Sequence, residues 1–423
     1  MPTLVAPAPT ASRASSQAKS RLKKDLYEEL KLKLAIYIEG VHYSDRVAQK
    51  LIDADFLHKY EIQNINLNGA KRRDTFPKPV YLPHGFYVNF RYEEDSLLEV
   101  VENDGTFGIE RRGQYLSDVT LGEEADWHFK KLADGTLYRD IARASSYGVP
   151  DKSLITAYSE ECSAKSNGET CLFCCYNSKV RREGEDEWQQ RWKHPGQIAQ
   201  VVKEAYDEGY SHFTLTGGFV PERRELDYYI DVAEAIKEKL GRDDFNGTAC
   251  IGAPLDLRII EKYKEAGFST ISFNTEVWGK EWFNVINPVK VTACGGFDNW
   301  IKAIEYAVKV FGPGKVRSNF VVGLQPKDIT FQGIDYLASI GVVTVASSFI
   351  PMIGSPLEGH RSPTVDWHWD AQLKHAQILR KYGRTYEEIY DATPVRTLTH
   401  DIYQVEDETW HSFAELEAES QLN

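Results

Sequence analysis

The chain has 423 residues, of which 42% are hydrophobic and 27% charged, so it is long enough for a large core and more than one domain. This composition excludes an intrinsically disordered chain and a small fold held by disulfides. The formal net charge of −13 disfavours nucleic acid as a partner, because an acidic surface repels phosphate.

No run of about 18 apolar residues and no apolar core of a secretory signal occurs in the sequence. We therefore expect a cytoplasmic protein without a membrane partner, acting on a small molecule or a protein. Residues 1–24 contain no acid and five bases among Pro, Ala and Ser, which predicts a disordered tail. An organellar transit peptide has a similar composition.

Residues 25–150 predict a small α+β domain. Apolar residues at helical spacing mark two helices between 25 and 61, the first carrying Leu26 and Leu30 and the second Val47 and Leu51. Residues 85–92 have the composition of a strand. The Asp104-Gly105 turn between 97–101 and 106–110 predicts a hairpin and hence an antiparallel meander.

Residues 151–383 alternate between strand and helix patterns. The predicted strands lie near 153–161, 211–216, 247–252, 269–275, 315–322 and 343–350. The predicted helices end at glycines, which are favoured just past a helix: Gly209, Gly241, Gly267, Gly312, Gly341 and Gly383. Residues 384–423 form a C-terminal extension, whose end from Asp401 onward carries seven acids and no Lys or Arg, as a solvated tail does.

Repeated βα units predict a parallel sheet, either a full or partial barrel or a doubly wound open sheet. No glycine-rich dinucleotide fingerprint follows the first of these strands, which disfavours the doubly wound fold. In a barrel, functional residues gather at the C-terminal ends of the strands. Three of the six cysteines, Cys162, Cys171 and Cys174, lie directly after the first strand.

This cysteine cluster has three chemical interpretations. A zinc site needs a fourth ligand, for which Cys175 or His194 is available. A redox dithiol needs only Cys171 and Cys174 and leaves Cys162 without a role. A [4Fe–4S] cluster held by three cysteines leaves one iron open for a substrate or cofactor.

The cluster resembles that of the radical S-adenosylmethionine (radical SAM) enzymes. Their signature is three cysteines in a loop after the first barrel strand with an aromatic residue before the last, which Phe173 matches. Eight residues separate Cys162 from Cys171 where three are usual, as in variant members with a longer loop. Cys175 is the adjacent rival of Cys174 as ligand.

The resemblance implies a partial (β/α)6 barrel of the biotin synthase and hydrogenase-maturase kind, covering about 155–360. It implies an oxygen-sensitive enzyme in which a reduced [4Fe–4S] cluster, bound by Cys162, Cys171 and Cys174, donates an electron to SAM. Cleavage then gives methionine and a 5′-deoxyadenosyl radical, which abstracts hydrogen from the substrate. A low-potential donor such as ferredoxin or flavodoxin would supply the electron. The alternatives are a zinc-stabilised barrel without radical chemistry and an Fe–S carrier.

Two strand ends resemble the family's SAM contacts. Gly217 and Gly218 follow the second strand, where the family receives the SAM amino group on backbone carbonyls, although Phe219 stands in place of the usual acid. The fourth strand ends in Asn274 and Glu276, where an acid or amide contacts the ribose or amino group. An ordinary βα turn and a solvated strand end are the corresponding structural explanations.

The fifth and sixth strands add weaker matches. Strand neighbours alternate, so at least one of Arg317, Ser318 and Asn319 faces the barrel interior, where an arginine needs an anion such as the SAM carboxylate. The segment with Arg317 and Ser318 also resembles the family's adenine contact. Met352 lies in a proline-rich stretch that resembles the family's adenine-flanking turn, and a rigid apolar turn explains the same residues.

The two remaining cysteines, Cys250 and Cys294, lack a partner at metal spacing and are predicted to pack as small buried side chains. The substrate and reaction type do not follow from the sequence. We expect the 25–150 domain, or the chain after 384, to cover the lateral gap of a partial barrel.

Overall fold

The fold was analysed in a computed structural model of the 423-residue chain. The structure describes residues 11–44, 46–47, 50, 80–122, 125–147, 152–158, 162, 168–174, 192–352, 354–393 and 396–410. The predicted helix around Val47 and Leu51 and the rival ligand Cys175 lie largely or wholly outside these residues.

The N-terminal segment forms a long helix, α1 (Ala11–Glu39), which includes residues 11–24 of the predicted tail. Its apolar stripe, with Leu26, Leu30 and Leu34, is buried as the spacing predicts. The tail prediction rested on the lack of apolar residues, but Ala, Gln, Lys and Arg are good helix formers and continue the helix N-terminally. Residues 1–10 lie outside the described residues.

The first sheet has six strands in the order β1-β4-β5-β6-β2-β3. Its strands are β1 (His42–Tyr43), β2 (Val80–Tyr81), β3 (Tyr87–Val88), β4 (Leu98–Asn103), β5 (Thr106–Arg111) and β6 (Gln114–Leu121). The hairpin prediction is confirmed, since β4 and β5 pair antiparallel and Asp104 and Gly105 have positive φ. The predicted strand over 85–92 is shorter than expected, with two residues in β3.

The second sheet has seven strands in the order β7 to β13. They are β7 (Arg143–Tyr147), β8 (Lys152–Ala157), β9 (His212–Thr216), β10 (Gly247–Cys250), β11 (Phe268–Ser272), β12 (Val316–Val322) and β13 (Val343–Ser348). Strands β8 to β13 are parallel, and β7 joins β8 antiparallel. Because chain order and spatial order coincide, the sheet lacks the reversal of a doubly wound fold and is a partial (β/α)6 barrel, as predicted.

Helices connect these strands. They are α2 (Tyr138–Ile141), α3 (Pro195–Asp207), α4 (Glu222–Leu240), α5 (Ile259–Glu265), α6 (Lys280–Ile286), α7 (Pro288–Ala293), α8 (Gly296–Phe311), α9 (Lys327–Ser339) and α10 (Val365–Lys381), with a 3-10 helix at Asp126–Phe129. The six predicted glycine stops all have positive φ, and Gly241 directly caps α4 in the left-handed region.

The two faces of the parallel sheet differ in chemistry. The convex face carries Phe213, Leu215, Ala249 and Ile271, all fully buried in the core together with apolar residues of the helices. Their strand neighbours point to the opposite, concave face, because side chains alternate along a strand. The concave face therefore holds His212, Thr214, Thr248, Thr270 and Ser272 from β9 to β11, and Arg317 and Asn319 from β12.

The C-terminal extension packs against the N-terminal helix. It contains α11 (Tyr386–Ala392) and α12 (Leu398–Glu406), and α12 contacts both α1 and α10. Asp401 is completely buried and accepts hydrogen bonds from Lys33 Nζ at 2.6 Å and Arg396 Nε at 2.8 Å. The prediction of a solvated tail is therefore wrong for residues 401–405, which are buried, because Asp401 is paired with the nearby Arg396 and with Lys33, which is remote in sequence.

No helix among the described residues is long and apolar enough to cross a membrane.

Candidate functional site

The cysteine segment 168–174 is fixed to the chain that follows two of the strands. Leu172 N donates to Ile286 O at 3.0 Å, and Val289 N donates to Glu169 O at 3.1 Å. On the other side, Leu357 N donates to Leu172 O at 3.2 Å. The segment therefore lies at the C-terminal ends of the strands, between the helices after β11 and the turn after β13. We call this end of the barrel the mouth.

Side chains strengthen this attachment. Thr292 Oγ1 donates to the Glu169 carboxylate at 2.7 Å, and Cys174 N donates to Cys171 O at 3.0 Å, which closes a turn between these two cysteines. Cys162, Cys171 and Cys174 are all half-buried. They are thus held near the surface of the mouth and not packed into the core.

Charged groups surround Cys171. Burial raises the pKa of its thiol to about 11, the charge of Lys290 lowers it, and Glu276 and Cys162 raise it further. These effects place Cys162, Glu276 and Lys290 near Cys171. A thiol with so high a pKa is protonated at neutral pH, so it ionises only when it binds a metal.

The donor set fits a three-thiolate cluster. Among the described residues, no three His, Cys, Asp or Glu side chains have the spacing that holds a single metal ion. Cysteines that each bind a different iron of a cluster do not require that spacing. His194, the alternative zinc ligand, accepts a hydrogen bond from Gly196 N on Nδ1 at 3.1 Å and caps α3.

Glu276 is the centre of a polar network at the end of β11. It is 7% exposed and has φ of 67°, an unusual value for a residue with a side chain. Lys290 Nζ contacts Glu276 Oε1 at 3.2 Å and donates to Asn274 O at 2.5 Å. Asn319 Nδ2 donates to Glu276 Oε2 at 2.9 Å. The network thus brings together the predicted residues Asn274 and Glu276.

Lys290 is a site residue that sequence reasoning missed. It lies in α7, between the chain segments that hold the cysteine loop, and packs over the Trp300 ring with Nζ 4.6 Å from its centre. Its position depends on how α6 and α7 fold back over the strand end. The only local signal was a basic residue soon after Asn287-Pro288, which marks a helix start and not a site.

The glycines after β9 are explained in part by packing. A side chain at Gly217 would collide with the ring of the buried Tyr158. The Tyr158 hydroxyl donates to Gly218 O at 3.1 Å. Glycine at 217 is therefore required by the neighbouring ring, and the Gly218 carbonyl retains one lone pair for a ligand.

The three remaining predicted residues have different surroundings. Arg317 faces the concave side, where its Nε donates to Ser272 Oγ at 3.0 Å. Ser318 is completely buried on the other face and bonds to Thr275, accepting from its N–H at 3.1 Å. Met352 O accepts from Ser355 N at 3.0 Å in the turn that Leu357 links to the cysteine segment. The structure thus gives Ser318 a loop-supporting contact and brings Met352 close to the mouth.

Comparison with known proteins identifies a matching family model and a similar protein. The family model described as the radical SAM superfamily matches residues 162–334. A similar protein, the bacteriochlorophyllide c C-7(1)-hydroxylase of Chlorobaculum limnaeum, is 28% identical over 310 residues, which are 70% of this chain and 76% of that protein.

Two solved structures are also similar. Methylornithine synthase (PylB) is 17% identical, with a TM-score of 0.43 over 57% of this chain and 68% of that chain. The FeFe-hydrogenase maturase HydG from Carboxydothermus hydrogenoformans is 16% identical, with a TM-score of 0.43 over 57% of this chain and 56% of that chain.

The match over 162–334 begins at Cys162 and includes strands β9 to β12, so it contains the three cysteines, Glu276 and Lys290. Residues 162–334 are thus a radical SAM domain, and enzymes with this domain use a [4Fe–4S] cluster and SAM, act on a substrate and need a reductant. The protein is therefore an enzyme, and the resemblance inferred from its cysteines is confirmed.

Proposed function

We propose that this enzyme binds a [4Fe–4S] cluster through Cys162, Cys171 and Cys174 and cleaves SAM reductively to oxidise a C–H bond of its substrate. The observation that carries the proposal is the attachment of the cysteine segment beside Glu276 and Lys290 at the strand ends. A site at the C-terminal ends of barrel strands faces the interior, where a substrate is enclosed.

The residues of the mouth have complementary tasks in this proposal. The backbone at Gly217 and Gly218 can approach SAM closely, because neither residue carries a side chain. Asn274 and Glu276 contact its ribose or amino group, and Met352 flanks its adenine. Lys290 orients Glu276, since the two form an ion pair with side chains only 13% and 8% exposed.

When bound and reduced, the cluster supplies the electron that cleaves SAM into methionine and a radical able to abstract hydrogen from the substrate. The chain itself contributes placement and exclusion of water. Cys162 and the segment 168–174 would hold the cluster at the mouth, and the concave face would receive the substrate. The reductant is proposed to be a low-potential protein such as ferredoxin or flavodoxin.

Anaerobic reconstitution tests this function. The full chain should take up iron and sulfide in equal amounts and should form methionine and 5′-deoxyadenosine from SAM with dithionite. Stoichiometric zinc without iron uptake would instead show a zinc-stabilised barrel. A cluster that never cleaves SAM, with or without substrate candidates, would show a carrier.

A second, finer candidate concerns the reaction. The similarity to a bacteriochlorophyllide c C-7(1)-hydroxylase extends over 76% of that protein, beyond the matched radical SAM region alone. We propose hydroxylation of a bacteriochlorophyllide as the first reaction to test. The reconstituted enzyme, SAM, dithionite and bacteriochlorophyllide c should give a product heavier by one oxygen atom. In this reaction water supplies the oxygen, and SAM accepts the two electrons of the C–H bond as it becomes methionine and 5′-deoxyadenosine. SAM cleavage without that product would reject this substrate and leave the radical chemistry intact.

A further inference from the structure

Arg317 is a buried cation on the concave face that has no acidic partner among the described residues. The residue is only 9% exposed, and its one hydrogen bond to a described residue runs from Nε to Ser272 Oγ at 3.0 Å. No carboxylate of the described residues lies within ion-pair distance of its guanidinium. By contrast, the half-buried Lys33 and Lys290 have Asp401 and Glu276 as partners.

The groups around Arg317 do not neutralise it. His212 is fully buried, and burial together with the charges of Arg317 and Lys315 lowers its pKa to about 3, so the imidazole is neutral at pH 7. Lys315 is itself paired with Asp391 at 2.7 Å. A buried, unpaired guanidinium is unfavourable, so this position calls for an anion that the described residues do not supply.

Two further polar atoms on this face lack partners. Thr214 Oγ1 and His212 Nδ1 are buried in side chains with 0% exposure and make no hydrogen bond among the described residues. The other imidazole nitrogen, Nε2, contacts Thr248 Oγ1 at 2.7 Å. Unsatisfied buried polar groups are rare in native proteins, and here they occur on the same concave face as the unpaired cation.

The height of Arg317 in the sheet separates it from the cysteine mouth. Arg317 pairs in register with Ser272, whereas Glu276 bridges to Phe320, three residues further along β12. At about 3.3 Å per residue, Arg317 therefore lies roughly 10 Å below the level of Glu276 along the strand. The charges with the largest effects on the pKa of the Cys171 thiol are those of Lys290 and then Glu276. The cysteine mouth therefore lies at the level of Glu276, above Arg317.

We propose that Arg317, with Thr214 and His212, forms an anion pocket on the concave face that receives a carboxylate of the substrate, below the position of SAM. The planar guanidinium matches a carboxylate, and a single cation with hydroxyl neighbours suits one negative charge better than a phosphate dianion. This inference rests on the proposed function, because it places the substrate beneath the cluster. It replaces the expectation that Arg317 binds the carboxylate of SAM.

The test uses 13C-labelled propionate as the probe and the reconstituted full chain, with binding followed by nuclear magnetic resonance. Propionate should bind saturably in the presence of saturating SAM, and the neutral propionamide should not bind. Arg317→Gln should weaken propionate binding at least about tenfold, as expected for the loss of a charged hydrogen bond. Arg258→Gln, which removes an exposed arginine, should change it less than about twofold.

Thr214→Val keeps the test informative if Arg317→Gln fails to fold; it should weaken propionate binding about two- to tenfold. Displacement of propionate by SAM would show that the pocket holds the SAM carboxylate and would overturn the inference. Absent binding, or binding insensitive to both variants, would overturn it as well. Iron content and SAM cleavage on the same preparation test the proposed function separately, so either idea can fail alone.

Discussion

The two faces of the parallel sheet bury different kinds of side chain, although the same strands form both faces. On the convex face, Phe213 and Ile271 are fully buried among apolar side chains of the helices. On the concave face, their neighbours Thr214 and Thr270 are equally buried but polar. Burial of apolar side chains on the convex face stabilises the fold. Burial of polar side chains on the concave face stabilises it less but leaves hydrogen-bonding groups available.

The concave face is only partly satisfied by its own contacts. Thr248 contacts both His212 and Thr270 through its hydroxyl, and Arg317 bonds to Ser272. Thr214 Oγ1 has no partner among the described residues. In our proposal a ligand completes this network, so the convex face serves folding and the concave face serves binding.

The largest expected effect is at the mouth above the concave face. Cys171→Ala should abolish iron uptake, because a cluster ligand is removed, and the same is expected for Cys162→Ala and Cys174→Ala. Iron and acid-labile sulfide measured after anaerobic reconstitution check this. Cys294→Ala, which alters a buried cysteine outside the segment, should retain the cluster, as should Cys175→Ala. Retention in Cys162→Ala with loss in Cys175→Ala would show a different ligand set.

Truncation of a core side chain on the convex face should have the next largest effect. Phe213→Ala removes a fully buried ring and should lower the free energy of unfolding by about 3–5 kcal/mol. Urea denaturation of the two proteins measures the difference. A loss below about 1 kcal/mol would mean that this face is not the close-packed one.

Glu225 is a buried acid on the otherwise apolar helix side of the sheet, and its titration predicts how stability depends on pH. Burial raises its pKa to about 8, although its carboxylate accepts a hydrogen bond from Gly252 N at 3.3 Å. Between its ordinary value of 4.5 and about 8, the unfolded chain releases this proton and the folded chain does not, so its contribution to stability falls as pH rises.

Glu225→Gln should remove this fall, because glutamine does not ionise. The variant should gain stability relative to the original chain between pH 5 and pH 8, by about 3 kcal/mol. Thermal unfolding of both proteins at the two pH values provides the comparison. An equal difference at both values would show that Glu225 titrates normally.

The smallest effect is expected from the concave neighbour of Phe213. Thr214→Val replaces a buried hydroxyl that lacks a partner among the described residues, so the free energy of unfolding should change by less than about 1 kcal/mol or rise slightly. The same urea measurement applies. A loss as large as that of Phe213→Ala would mean that the hydroxyl has a structural partner, and would remove the contrast between the faces.

Local patterns predicted most of the barrel. The strands, the glycine stops and the Asp104-Gly105 turn depend on nearby residues, and the structure confirms them. The position of the cysteines after the first strand also predicted the mouth, because parallel strands bring their C-terminal ends together.

Long-range contacts account for what the sequence could not predict. Residues 11–24 are helical in α1, whose Lys19 and Lys23 reach Glu408 and Glu406 near the C-terminal helix. Asp401 is buried because Lys33 lies against it. Lys290 reaches the mouth through the fold of α6 and α7. None of these pairings has a local signature in the sequence.

The most direct test of the central claim is electron paramagnetic resonance of the reduced, reconstituted chain with and without SAM. The claim predicts the signal of a reduced [4Fe–4S] cluster that changes when SAM is added, because SAM occupies the iron left open by Cys162, Cys171 and Cys174. A protein without an iron signal, or a cluster signal that SAM leaves unchanged, would contradict it.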